Sequence, residues 1–197
     1  MKKNKPQSDP RPPLTLSSLH TLVLAVATFG WSEYSSSLIK AMLLLSFHAF
    51  LRPGEMTKSV NAITFANTSV SSARIKLKLL SYKHSKGVPA VVKIKATHTR
   101  FCPVRALSRY LQLRGSCKGN LFCDILGKPV SYSWYSKTFK DLLSFTNLDP
   151  ALRPHSARIG AATHAAAKGI PEDLIKRMGR WSSSAYGRYI RLPSIAM

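Results

Sequence analysis

The chain has 197 residues, 45% of them hydrophobic, enough for one sizeable domain with its own core. Thirty Lys and Arg face eight Asp and Glu, a formal net charge of +22, and a field of that sign and size needs an anionic partner, nucleic acid first among the candidates. Three cysteines without CxxC spacing fit reduced thiols and exclude a disulfide frame or a thiolate zinc site, and no apolar run approaches membrane-span length.

The first 13 residues, MKKNKPQSDPRPP, are basic and Pro-rich but lack the apolar stretch of a signal peptide. They are expected to be a flexible lead-in to a domain over 14–197, inside a cell and in the nucleus if that cell is eukaryotic. Leu16, Leu19, Leu22, Val23 and Val26 then form a helical stripe that Gly30 ends. The stretch 36–50 is apolar nearly all round, which predicts a central, buried helix closed by Pro53 and Gly54 directly after Arg52. In ARIKLKLL the period changes to two: Ile75, Leu77 and Leu79 alternate with Arg74, Lys76 and Lys78, a half-buried strand. VPAVVKIKA is its partner, across a turn that contains Gly87. Pro103 opens a helix with Val104, Leu107, Tyr110 and Leu111 facing inward. Further helices are expected over 134–145, 156–167 and 171–178, with a last short one over 185–190. The predicted class is mainly α with a small antiparallel β-sheet, an α+β fold.

Several positively charged or proton-donating side chains sit where the chain would fix them. Arg52 leaves a buried helix with Glu55 three residues on, which suits either a surface cap or a positioned anion binder. Lys83 lies at the hairpin tip, an ordinary place for a solvated lysine. His155 and Arg158 are three apart, on one helical face, and Ala157, Gly160, Ala161 and Ala162 let that helix pack closely. His155 follows Pro154 at the helix N-terminus, where backbone N–H groups favour an anion. Trp181, read alone, is a core aromatic.

In order along the chain, Arg52, Lys83, His155, Arg158, Trp181 and Tyr189 resemble the Arg…Lys…His-x-x-Arg…His/Trp…Tyr succession of the tyrosine recombinases, also called phage integrases. The stretch HSARIGAATHAAAKGIPEDLIKRMGRWSSSAYGRYIR is Cre-like, and with FLRPGEM and CPVRALSRYL it resembles in style the recombinases of DIRS and Crypton mobile elements. The likeness runs from about residue 14 to residue 192.

That resemblance implies the tyrosine recombinase catalytic-domain fold and a site-specific recombinase or integrase. Its reaction is the cleavage and rejoining of DNA strands through a 3′-phosphotyrosyl intermediate. Arg52 and Arg158 would clamp the non-bridging oxygens with forked hydrogen bonds, and Trp181 would add an indole N–H. Tyr189 would be the nucleophile, His155 its base, and Lys83 the donor of a proton to the leaving 5′ oxygen. Glu55 would orient Arg52 or His155. The implied chemistry uses no metal or cofactor. The implied partners are double-stranded DNA and further copies of the chain, in a tetrameric synapse on DNA, with no membrane.

The family's nucleophile usually follows its His/Trp position by about nine residues, whereas Tyr189 follows Trp181 by eight and Tyr186 by five. The tail is therefore read with one residue missing, Tyr189 as nucleophile and Tyr186 as a packing aromatic. The relatives' N-terminal core-binding domain has no counterpart here, so the expectation is a catalytic domain alone. A relaxing type IB topoisomerase shares the chemistry but not the Cre-like tail. The alternative is a catalytically inactive, domesticated DNA-binding remnant of a mobile-element recombinase.

Overall fold

Thr15 and Ser32 set the starts of the first two helices. The Thr15 hydroxyl accepts the Ser18 N–H at 3.0 Å, opening α1 (Leu16–Thr28), and Ser32 accepts the Ser35 N–H at 3.2 Å, opening α2 (Glu33–His48). With Glu33 in its first turn, α2 thus starts three residues before the position its apolar run suggested. The computed structural model describes residues 10–83, 85–182 and 184–191. Most of the expected lead-in, and positions 192–197 of the expected domain, lie outside the described residues.

Being apolar nearly all round, α2 becomes the central helix. Leu38, Ile39, Met42, Leu43 and Leu45 are all buried, and α2 packs against α1, α4 (Pro103–Arg114) and α6 (Ser156–Ala167). Its end differs from the expectation. Phe50 turns the chain with φ 52°, and Pro53 begins a new one-turn helix, α3 (Pro53–Met56), instead of closing the old one. A proline suits that first position because the N–H it lacks would have no helical partner there. Arg52 is therefore the N-cap of α3.

The sheet has three antiparallel strands in the order β1 (Thr68–Val70), β2 (Arg74–Leu79), β3 (Ala90–Lys95). Ile75 pairs with Ile94 and Leu77 with Val92, so one face buries Ile75, Leu77, Leu79 and Ile94 against the helices. The alternation that predicted β2 holds along its whole length; β1 was not expected. The remaining helices are α5 (Tyr132–Ser144), opened by the Ser131 hydroxyl, and α7 (Glu172–Gly179), followed by a 3-10 turn over Ser184–Tyr189. None of the described helices is long and apolar enough to cross a membrane.

One close approach positions the N-terminal segment. The Leu14 N–H donates to Ser156 O at 3.0 Å, laying Leu14 across the first turns of α6. A Cβ at Gly160 would stand 1.7 Å from Leu14 O, so only glycine permits this crossing.

Candidate active site

Behind the short helix α3, a single carboxylate gathers two arginines. The N–H of Arg52 donates to Glu55 Oε2 at 2.8 Å and its Nη1 to Glu55 Oε1 at 3.1 Å. Glu55 is 1% exposed, held there because Arg52 caps α3 and the third helical residue, Glu55, folds back beneath that cap. From the far side Arg180 Nη2 donates to Glu55 Oε2 at 2.8 Å, with both side chains almost fully buried. Arg180 also donates to Phe50 O at 3.0 Å and to Ala49 O at 3.3 Å.

Arg158, on the first turn of α6, lies in the same buried region at 1% exposure. Its Nη1 and Nη2 donate to the carbonyls of Phe50 and Gly179, and its guanidinium stacks 4.1 Å from the centre of the Trp181 ring. The Phe50 carbonyl thus accepts from both Arg158 and Arg180. Burial pushes the Arg158 pKa well below the ordinary arginine value, and the charges of Arg52 and Arg180 push it the same way, against the pull of Glu55. Burial likewise lowers Arg180, opposed by Glu55. Three guanidiniums thus lie close together with one carboxylate, which pairs with Arg52 and Arg180, an imbalance that an incoming anion would correct.

An open cleft of about 430 Å³ borders this cluster, lined by Arg11, Arg52, Asn61, Lys83, Tyr132 and His155 among others. Lys83 reaches it from the connection between β2 and β3 and is exposed. His155 reaches it as the residue before α6, its carbonyl accepting the Arg158 N–H at 3.1 Å. Behind His155 stands Tyr189, with ring centres 5.8 Å apart, and Trp181 lies 5.3 Å from Tyr189 on the other side. Arg52, Lys83 and His155 thus share the cleft. Arg158 and the half-buried Trp181 pack together outside its lining, and Tyr189 bridges His155 to Trp181.

The two tail tyrosines face different surroundings. The Tyr186 hydroxyl donates to the Glu172 carboxylate at the start of α7, which raises its pKa, and its side chain is 8% exposed. Tyr189 is held by its backbone: Thr163 Oγ1 donates to Tyr189 O at 3.0 Å and accepts the Arg191 N–H at 3.1 Å. Gly179 sits under Trp181, where a Cβ would come within 1.6 Å of the indole.

Sequence reasoning passed over Arg180, Thr163 and Arg11. For Arg180 a signal existed: it stands nine residues before Tyr189, the interval that Trp181 misses by one. Its left-handed backbone, φ 55° at the end of α7, turns its side chain inward and leaves the next position to Trp181. Thr163 and Arg11 carried no such signal, because both act through the path of a distant segment. Among the described residues, no three His, Cys, Asp or Glu side chains are grouped so as to hold a metal ion.

The sequence profile of the phage integrase family matches residues 17–192. Among solved structures, the site-specific recombinase XerH bound to palindromic difH substrate in a post-cleavage complex is similar over 98% of this chain, with a TM-score of 0.71 and 14% identity. The recombinase XerA is similar over 93% of the chain, with a TM-score of 0.73 and 18% identity. A lambda integrase tetramer bound to a Holliday junction matches over 94%, with a TM-score of 0.66 and 14% identity. The matched parts make up 52%, 61% and 50% of those three chains, so this chain spans little more than half their length. No curated protein matches it in sequence.

Proposed function

Since the chain belongs to the phage integrase family, we propose that it cuts and rejoins DNA strands as the catalytic domain of a site-specific recombinase, with the domain over 14–197. The observation that carries this reading is the charge imbalance: Arg52, Arg158 and Arg180 around Glu55, beside a cleft that Lys83 and His155 line, with the Tyr189 ring packed against His155. A scissile phosphodiester in the cleft would meet Arg52 first. The Tyr189 phenolic oxygen attacks phosphorus, giving up its proton to His155, and the bond to the 5′ oxygen breaks as Lys83 protonates it. The product is a 3′-phosphotyrosyl enzyme and a free 5′-hydroxyl, and the reverse sequence with a new 5′-hydroxyl rejoins the strand. The guanidiniums stabilise the extra negative charge of the pentacoordinate transition state, each positioned donor contributing about 3–4 kcal/mol.

Duplex DNA is the substrate in this reading, and the difH-bound XerH and the junction-bound lambda integrase tetramer support it. The lambda integrase tetramer also supports self-association of the chain on DNA as a tetramer. The protein would act inside a cell, in the nucleus if eukaryotic, and the Cre-like, DIRS and Crypton style of its segments fits a mobile-element origin. The test is a suicide DNA substrate: the unaltered chain should become covalently attached to it, and Tyr189→Phe should not.

One observation favours the second reading, a binding remnant without turnover. Arg158 is 1% exposed, and Nη1 and Nη2 each donate to a main-chain carbonyl, so a phosphate could reach its remaining N–H donors only if the buried cluster opened. Duplex binding without any adduct would establish that reading instead.

A further inference from the structure

The outward face of the sheet carries a charge pattern that the cleft does not use. On β2 the exposed residues are Arg74, Lys76 and Lys78, and on β3 Lys93 and Lys95 join them, with Val91 also outward. The register sets like against like. Arg74 lies directly opposite Lys95, and Lys76 directly opposite Lys93. Adjacent pairs of equal charge weaken a sheet, and exposed strands ordinarily place opposite charges or neutral polar groups there. No acid relieves the pattern: the ion pairs of the described residues join Arg52 and Arg180 to Glu55, Arg109 to Glu33, Lys137 to Asp141 and Arg177 to Asp173, and none touches a strand.

We infer that this face is a second DNA contact surface, one that holds the sugar–phosphate backbone of a duplex segment away from the cleavage site. The inference rests on the proposed function. Charge complementarity selects the occupant, because the five outward cations of the two strands have no carboxylate among them; the hollow of about 730 Å³ that Val91 and Lys93 border lies at the β3 edge against α7, beside the charged rows. Its dimensions suit a duplex. From Arg74 to Lys78 the strand advances ~13 Å, an axial length over which one DNA strand presents about four phosphates. Lys and Arg rows on two adjacent strands can follow that backbone without reading bases, so the contact would add affinity and salt dependence but little sequence preference. The same two strands carry the connection that brings Lys83 to the cleft. A backbone held on the sheet would therefore fix the base of the segment bearing that lysine.

The test compares two triple variants of equal net charge in the full chain. The first is Lys76→Gln, Lys93→Gln and Lys95→Gln on the sheet. The second is Lys118→Gln, Lys128→Gln and Lys140→Gln at exposed positions elsewhere. Affinity for a non-specific duplex is measured across a range of salt concentrations, with thermal melting alongside. The sheet variant should bind more weakly, with its log–log salt slope reduced by ~2.7, about 0.9 for each lost phosphate contact. The second variant should stay close to the unaltered protein. The sheet variant should melt no lower than the unaltered chain, since both like-charge pairs are relieved. Equal slopes for both variants would overturn the inference, reducing the effect to net charge. A loss confined to RNA, with duplex DNA binding intact, would overturn it as well. If the unaltered chain binds no duplex at all, the proposed function itself fails, a result distinct from equal slopes.

Discussion

Arg180 Nη2 and Glu55 Oε2 meet at 2.8 Å, 125 positions apart in sequence and almost completely shielded from water. Because the same carboxylate also takes the N–H and Nη1 of Arg52, it is the one negative charge among three guanidiniums. A buried pair of this kind contributes little net stability compared with an apolar pair, but removing one partner leaves the other charge stranded. Glu55→Gln should therefore destabilise the protein by about 3–5 kcal/mol in urea denaturation. The double variant Glu55→Gln, Arg180→Met should lose less than Glu55→Gln alone, since it removes a stranded charge too. A Glu55→Gln protein that unfolds at the parental urea concentration would show that the pair is solvated and unimportant.

The tyrosines separate cleanly by partner. Tyr189→Phe should abolish the covalent DNA adduct with duplex affinity nearly unchanged, because one phenolic oxygen disappears from a protein carrying a net charge of +22. Tyr186→Phe should keep the adduct and lose only the hydrogen bond to Glu172, with little change in melting temperature. The opposite pattern, adduct lost with Tyr186→Phe and kept with Tyr189→Phe, would reassign the nucleophile.

How legible each part was depends on whether its signal is local. Strand β2 was visible because Ile75, Leu77 and Leu79 alternate with cations, a period that only a half-buried strand needs. The three residues of β1 have no period to show; they are a strand only because Thr68, Ser69 and Val70 find Leu77, Lys76 and Ile75. The burial of α2 was readable from its composition, whereas its start depends on the Ser32 hydroxyl, a single polar atom outside the apolar pattern. In the candidate site, the His155 and Arg158 spacing was plain because it lies within one helix turn. Arg180 was not, since a lone arginine reads as solvated until Glu55, folded in from the other end of the chain, accounts for its burial.

His48, in the last turn of α2, gives the fold a pH dependence. Burial, reinforced by repulsion from His20 and His164, pushes its pKa from 6.5 to about 4. Between those values the unfolded chain takes up a proton that the folded chain refuses, so stability falls as pH drops through the window and is unaffected by this group above it. A gap of that size corresponds to roughly 3 kcal/mol by pH 4. The unaltered protein should therefore lose melting temperature faster than His48→Gln as the pH is lowered from about 6.5 towards 4. Parallel pH profiles for the two proteins would mean that His48 protonates freely in the folded state.

The last prediction concerns Thr163, which touches neither the cleft nor any charged group of the cluster. Its hydroxyl donates to Tyr189 O and accepts from the Arg191 N–H, fixing the backbone on both sides of Ile190 to the middle of α6. That places the Tyr189 ring between His155 and Trp181. Thr163→Val keeps the side-chain shape and removes both bonds at a cost of about 1–2 kcal/mol, borne by the tail and not by the core. With DNA saturating, the variant should form adduct several-fold more slowly while its duplex affinity stays at the parental value. Thr163→Ser restores the hydroxyl and should recover the rate, which a general loss of packing would not allow. An adduct rate in Thr163→Val equal to the parent's would show that the tail leaves Thr163 before Tyr189 attacks. The two bonds would then hold only the resting arrangement, and Tyr189 would reach the phosphate from a position set by the DNA.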